Sequence, residues 1–209
     1  MKNNSFEGQV IPINRDNVDT DLIIPKQYLK SIKKSGFGPF LFDSLRYTTT
    51  ATLDSNSERT EVSSFILNQT PYKNGTILIA KSNFGCGSSR EHAVWALRDF
   101  GFKAVIASSF GDIFYNNCFK NSVLPIKLSK EEVSHLFERA SSSPDGFEID
   151  LLRKEIKVDN DFCYSFEVKD SLLDRIVHNL DDVDITLKDK LLIQEYEKER
   201  QKQRAWLFD

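Results

Sequence analysis

The rhythm of apolar and polar positions changes near residue 76 of the 209-residue chain. Beyond it, short apolar runs alternate with amphipathic stretches. Residues 76–80 (Thr-Ile-Leu-Ile-Ala) are too short for a buried helix and predict a strand. A glycine turn at 85–87 follows. Ala93, Ala96, Leu97 and Phe100 then recur at i, i+3, i+4 and i+7, predicting a helix stopped by Gly101. Residues 104–107 (Ala-Val-Ile-Ala) predict a second buried strand, 111–120 a helix and 123–127 another strand. Ser129 and Glu132 have capping-box spacing and open a helix that carries Val133, Leu136, Phe137 and Ala140 on one face. Strands are predicted near 147–157 and 162–168, and a short helix over 172–180. Thr186 with Asp189 predicts the cap of a last helix, near 187–204. This alternation predicts an α/β fold, a mixed sheet with packed helices.

The first third of the chain is less regular. Residues 7–13 predict one short strand, with Pro12 at an edge or an end. Residues 14–46 combine an Asp/Asn/Thr cluster, the apolar run Leu22-Ile23-Ile24 and a basic stretch at 30–34. Residues 35–39 have loop chemistry. Residues 48–60 form a polar connector, the region near 30–60 is a candidate mobile loop, and 64–67 predicts a strand beside it. No internal repeat or low-complexity linker divides the chain, so 1–209 is expected to be a single domain.

Charge and cysteine usage narrow the function classes. Lys plus Arg is 28 and Asp plus Glu is 31, a net charge of −3. That balance supports neither a nucleic-acid partner nor a membrane surface. No run reaches the roughly 20 apolar residues of a membrane span, and residues 1–8 have no apolar leader region, so a cytoplasmic protein is expected. Cys86, Cys118 and Cys163 are scattered and odd in number, which excludes a disulfide framework and a C-x-x-C motif. With three histidines (92, 135, 178), no metal or cofactor is expected to be bound by this chain itself.

The most informative segment is Asn83-Phe-Gly-Cys-Gly-Ser-Ser-Arg-Glu-His-Ala93, between a predicted strand and a predicted helix. Gly85 and Gly87 permit a tight turn and close approach of a ligand to the backbone. Ser88 and Glu91 fit a capping box, the plain structural reading. A dinucleotide fingerprint fails because its third glycine position holds Arg90, and no P-loop Gly-Lys-Ser/Thr is present. A third reading is a carboxylate-handling site. A serine alkoxide is unstable in water, but backbone N–H donors and a nearby arginine would stabilise it, and Arg90 can fork onto a carboxylate. Cys86 reads as a small buried side chain, and His92 as an ordinary helix histidine near the site.

This segment closely resembles the signature of the small subunits of 3-isopropylmalate dehydratase, in the aconitase superfamily. Residues 16–30 (Asp16-Asn-Val-Asp-Thr-Asp-Leu-Ile-Ile-Pro-Lys-Gln-Tyr-Leu-Lys30), 109–126 and 180–187 resemble further blocks of that family, in the same order. The resemblance implies the swivelling β/β/α domain that forms the C-terminal domain of aconitase. It implies a large-subunit partner carrying a 4Fe-4S cluster, a small dicarboxylate substrate and a hydro-lyase of leucine biosynthesis. Position by position, Ser88 matches the base, while Ser89 and Arg90 match groups that stabilise it or grip a carboxylate. Asp21 matches an acid supporting the proton relay. Gly87 and Lys30 are further candidates for substrate binding. The run Leu22-Ile23-Ile24 would suit an isopropyl group, though such a run is more often core. Removing a proton beside a carboxylate needs a base and cationic clamps, whereas expelling hydroxide needs a Lewis acid. This chain has the first set and lacks the thiolates for a cluster. Open alternatives are a related small subunit for citraconate, 2-methylmalate or homoaconitate, a stand-alone phosphate or nucleotide binder at residues 85–89, and a regulatory subunit whose serines only cap.

Overall fold

The residues predicted as one strand over 7–13 belong to two strands in two different sheets. In the computed structural model, which describes residues 4–30, 33–49, 59–142, 146–159 and 162–207, β1 (Ser5–Gly8) pairs antiparallel with β6 (Phe147–Asp150). After Gln9, β2 (Val10–Ile13) pairs parallel with β3 (Ile77–Ala80). The Gln9 carbonyl accepts from the Thr76 and Ile77 amides at 3.0 and 3.1 Å, which fixes the step from one sheet to the other. The parallel sheet continues through β4 (Ala104–Ala107) and β5 (Leu124–Lys127), in the order β2-β3-β4-β5. Pro12 and Pro125 therefore sit on its two edge strands, where a missing N–H costs least. The antiparallel sheet runs β1-β6-β7-β8, with β7 at Glu155–Lys157 and β8 at Cys163–Ser165. Parallel and antiparallel pairing are both present, divided between two four-stranded sheets, and the fold is α/β.

The parallel strands read as continuous apolar runs because both faces are covered. On one face Ile11, Leu78 and Val105 cluster with Ala93, Ala96 and Leu97 of α3 (His92–Phe100). On the other, Ile77, Ile79 and Ile106 cluster with Val133 and Leu136 of α5 (Lys130–Ser142) and with Ile149 and Ile156 of the antiparallel sheet. At about 1.5–3 kcal/mol for each fully buried aliphatic side chain, these two clusters hold the three layers together. Helix α3 stops at Gly101, φ 119°, as its sequence predicts. Helix α5 opens on the Ser129–Glu132 capping box, with both reciprocal hydrogen bonds present.

Two local expectations differ from the structure. Residues 64–67 do not form a strand; a 3-10 turn occupies Ile66–Asn68. The Asn68 amide donates to the carbonyls of Arg46 (2.7 Å) and Val62 (3.0 Å), which draws the chain inward there. Thr186 and Asp189 are not a cap pair. Asp181 and Asp184 make the capping box of α7 (Asp182–Leu187), and the Thr186 hydroxyl donates to the Asp182 carbonyl inside that helix. A separate helix, α8 (Lys190–Gln203), follows. The helix predicted over 172–180 is α6 (Asp170–His178), ended by Asn179 at φ 52°.

The proposed mobile region near 30–60 lies partly outside the described residues, at 31–32 and 50–58. Its described part is anchored. Phe37, Leu41 and Phe42 are buried, the last preceding the one-turn helix α2 (Asp43–Arg46). The Asp99 carboxylate accepts from the amides of Gly36 (2.7 Å) and Phe37 (3.0 Å). Arg59 pairs with buried Asp43, stacks 3.7 Å over the Tyr47 ring and donates to the Pro39 carbonyl.

Candidate active site

Three loops leaving the C-terminal ends of β2, β3 and β4 meet at one edge of the parallel sheet, where open α/β sheets place their ligands. The Gly85 amide donates to the Val18 carbonyl at 2.7 Å, and the Thr20 amide to the Cys86 carbonyl at 2.9 Å. On the other side the Phe84 amide donates to Ser109, and the Gly111 amide returns to Phe84 (3.0 and 2.9 Å). The β3 loop is thus stitched to both neighbours. Asn17 and Asn83 both adopt left-handed backbone (φ 53° and 59°), and the Asn83 amide donates to Asn17 Oδ1 at 2.7 Å across the seam.

The glycines answer to different constraints. Gly85 has φ +72°, and a Cβ there would lie 2.1 Å from Phe114 Cγ, inside the aromatic ring's own space. Gly87 has φ +90°, but its missing Cβ would meet nothing closer than 3.5 Å. Gly85 is therefore held by both packing and backbone, Gly87 by backbone alone.

The turn lines a hollow of about 300 Å³ whose wall includes Thr20, Ser88, Ser89, Arg90, Ile113 and Phe114. The last two lie in the first turn of α4 (Asp112–Lys120). Gly87, Ser88 and Ser89 are exposed, and buried Thr20 donates its hydroxyl to the Ser88 carbonyl at 3.1 Å. Arg90 forms an ion pair with Asp21, which belongs to the one-turn helix α1 (Thr20–Ile23). An adjoining hollow of about 430 Å³ is lined by Arg15, Asp16, Asp19, Asp21 and Leu22 among others.

Homology decides the family. The aconitase C-terminal domain family matches residues 2–131. The 3-isopropylmalate dehydratase small subunit of Marinobacter nauticus is 50% identical over 206 residues, covering 97% of this chain and 95% of that protein. The protein of the same name from Brevibacillus brevis is 51% identical over 194 residues, covering 92% and 96%. A crystal structure of 3-isopropylmalate dehydratase from Methanocaldococcus jannaschii matches 92% of this chain and 99% of that one, with 31% identity and a TM-score of 0.63. The chain belongs to the 3-isopropylmalate dehydratase small-subunit family.

Within that family assignment, the residues singled out by sequence divide clearly. Gly87, Ser88, Ser89 and Arg90 share one hollow, and Asp21 reaches it through Arg90. Lys30 does not join them; it is exposed at the end of the 3-10 segment Lys26–Lys30 and lines neither hollow. Ile23 and Ile24 are fully buried core residues, so they form no recess for a ligand. Ser88 is not the cap of α3. The helix begins at His92 with Glu91 as its cap residue, and the Glu91 carboxylate accepts instead from the Asn121 amide at 2.8 Å. His92 packs against Phe37 and Trp95.

Electrostatics at the rim is set mainly by carboxylates. Ser82 donates both its hydroxyl and its amide to Asp16, which holds that carboxyl below the usual range. Burial, and secondarily the charge of Asp19, push the Cys86 thiol up, so it stays protonated at neutral pH and is a poor nucleophile. The three cysteines occupy unrelated places: Cys86 in the turn, Cys118 buried in α4, Cys163 exposed on β8. Among the described residues no group of three or more His, Cys, Asp or Glu is arranged to hold a metal ion. The donor set of this chain does not fit an iron–sulfur cluster. Thr20, Asn17 and Ile113 were not singled out by sequence reasoning. Thr20 and Asn17 lie inside the 16–30 block and Ile113 inside the 109–126 block, which were the available signals.

Proposed function

We propose that this chain is the base-bearing half of a hydro-lyase that interconverts 2-isopropylmalate and 3-isopropylmalate through 2-isopropylmaleate in leucine biosynthesis. Its partner is a large subunit that carries a 4Fe-4S cluster, and the enzyme works in the cytoplasm. Identity of about half over nearly the full length to proteins named 3-isopropylmalate dehydratase small subunit carries this reading.

In the proposed reaction Ser88 Oγ, as an alkoxide, takes the carbon-bound proton beside a substrate carboxylate. The C–H electron pair becomes the new C=C bond as hydroxide leaves the adjacent carbon. Rehydration at the other carbon completes the isomerisation. Arg90 stabilises the alkoxide or forks onto a carboxylate, and Asp21 orients Arg90 and supports the return of the proton. Ser89 and the Gly87 peptide line the carboxylate's path. Departure of hydroxide falls to the partner. Lys30 is assigned no step.

The phosphate-binding alternative fits the geometry less well. The start of α3 lies several residues past the glycine turn, and Arg90 is already engaged by Asp21. The test is to mix the chain with its large partner anaerobically and follow alkene absorbance. Ser88→Ala is expected to lower the rate about 10²–10⁴-fold, the usual range for a lost general base. Near-normal activity of that variant would overturn the assignment of the base.

A further inference from the structure

We infer that Asn121 is a positioning residue for the Ser88–Arg90 turn: it holds Glu91 away from Ser88 and so stops α3 from extending backwards by one turn. This rests on the roles given above to Ser88 and Arg90 and deepens them. Residues 88–91 have the spacing of a capping box, in which the Glu91 carboxylate would accept from the Ser88 amide and the Ser88 hydroxyl from the Glu91 amide. Ser89, Arg90 and Glu91 would then form the first turn of a longer helix. Neither bond is present between these described residues. The amides of Val94 and Trp95 both donate to the Glu91 carbonyl (2.9 and 3.0 Å), so helical bonding begins there, and no side chain caps it.

Two tertiary contacts engage the groups that the longer helix needs. The Glu91 carboxylate accepts from Asn121 Nδ2 at 2.8 Å. The Ser88 carbonyl, which would receive the His92 amide in a helix starting at Ser89, accepts from buried Thr20 at 3.1 Å. Of these two holders, Asn121 is the one that lies outside the hollow. It is 8% exposed and ends α4. Its second amide N–H donates to the Asn117 carbonyl at 2.9 Å, and Arg98 faces its Oδ1 at 3.5 Å, which keeps the Nδ2 edge toward Glu91. A bond from a buried amide to a carboxylate is charge-assisted and little screened, so it outcompetes a cap on an exposed serine. Closing the box would turn the Ser88 hydroxyl onto α3. It would also take Arg90 into the first turn, away from the position in which it pairs with Asp21.

The test takes Asn121→Ala and the isosteric Asn121→Leu, each in the wild-type and in a Glu91→Ala background. Asn121→Leu fills the space of the amide, so it decides the matter if the smaller variant fails to fold. In the full chain, followed by NMR, both single variants should move the Cα chemical shifts of Ser89, Arg90 and Glu91 to helical values. In the reconstituted pair of subunits acting on 3-isopropylmalate, each should lower kcat about 10–100-fold, the scale of a misplaced catalytic group. In the Glu91→Ala background no reciprocal box can close, and the same Asn121 changes should cost less than about threefold. Unchanged shifts in the single variants would overturn the inference. So would equal losses of kcat in the two backgrounds, which is what a purely structural asparagine would give. A wild-type pair that fails to turn over 3-isopropylmalate would overturn the proposed function instead, and the NMR result would still decide where α3 starts.

Discussion

Substituting the two turn glycines separates packing from backbone strain at the heart of the site. Gly85→Ala forces a left-handed backbone on an L-residue, at about 1–2 kcal/mol, and drives a Cβ to 2.1 Å from Phe114 Cγ. Overpacking of that kind adds about 1–3 kcal/mol, for a total of about 2–5 kcal/mol. Gly87→Ala carries the backbone cost alone, because its Cβ would sit 3.5 Å from Asp19 Cβ and Thr20 Oγ1, an ordinary contact. Its expected cost is about 1–2 kcal/mol. Urea unfolding monitored by Trp95 fluorescence would give both values from shifts in midpoint at a common slope. The steric share is isolated by a double-mutant cycle. Phe114→Ala alone opens a cavity, but combined with Gly85→Ala it should cost about 1–3 kcal/mol less than the two single changes together. If Gly85→Ala proved no more destabilising than Gly87→Ala, or the cycle showed no coupling, the account of why Gly85 must be glycine would be wrong.

Ser88→Ala should leave stability within about 0.5 kcal/mol, since the residue is exposed and caps no helix; a larger change in the urea midpoint would mean that its rate effect reflects misfolding. The Asp16 carboxyl is held below its unfolded value by Ser82, so the stabilisation it confers is complete above about pH 4 and is lost as pH falls through the folded value. Ser82→Ala should therefore flatten the acid limb of stability below about pH 4, and a constant difference from wild type in urea midpoints between pH 3 and 5 would contradict this. Without its partner the chain should bind 3-isopropylmalate more weakly than about 1 mM, because the two hollows set two arginines against four aspartates. Calorimetric binding much tighter than that would refute it.

What could be read from sequence follows from how local the determining physics is. The strands at 76–80, 104–107 and 123–127 were legible because a parallel strand buried on both faces is an apolar run whatever surrounds it. The α3 stripe and its Gly101 stop are equally local. The division of 7–13 between two sheets was not legible, since a short apolar run carries no mark of which partner each half will pair with. The C-terminal cap was misread because Asp181–Asp184 and Thr186–Asp189 share one spacing. Tertiary contact favours the first: Asp182, next to the cap, binds Arg175 (2.6 Å) and Lys120 (3.4 Å). The same override moved the start of α3. Glu91 fits a capping box with Ser88 but is drawn to Asn121, a residue 30 positions away.

That Ser88 does not cap α3 changes what surrounds its hydroxyl. A serine at a helix N-terminus would share the positive end of the helix dipole, worth up to about 1 kcal/mol at an exposed position. Here the helix starts at His92, so that contribution is weakened with distance, and Arg90 is left as the nearby cation. Arg90 is held by Asp21, whose side chain is 53% exposed, so solvent screens the pair and keeps it weak enough to yield to a substrate carboxylate. A carboxylate approaching the isolated chain must displace that pairing while facing Asp19 and Asp112, with water still filling the hollow. Covering the exposed rim with a partner would remove the water and strengthen each remaining interaction. The loops at the ends of β2, β3 and β4 supply a rigidly stitched turn, a serine and a guanidinium. A serine and a guanidinium without a metal site among the described residues are what the proposed division of base and Lewis acid between two chains asks of this one.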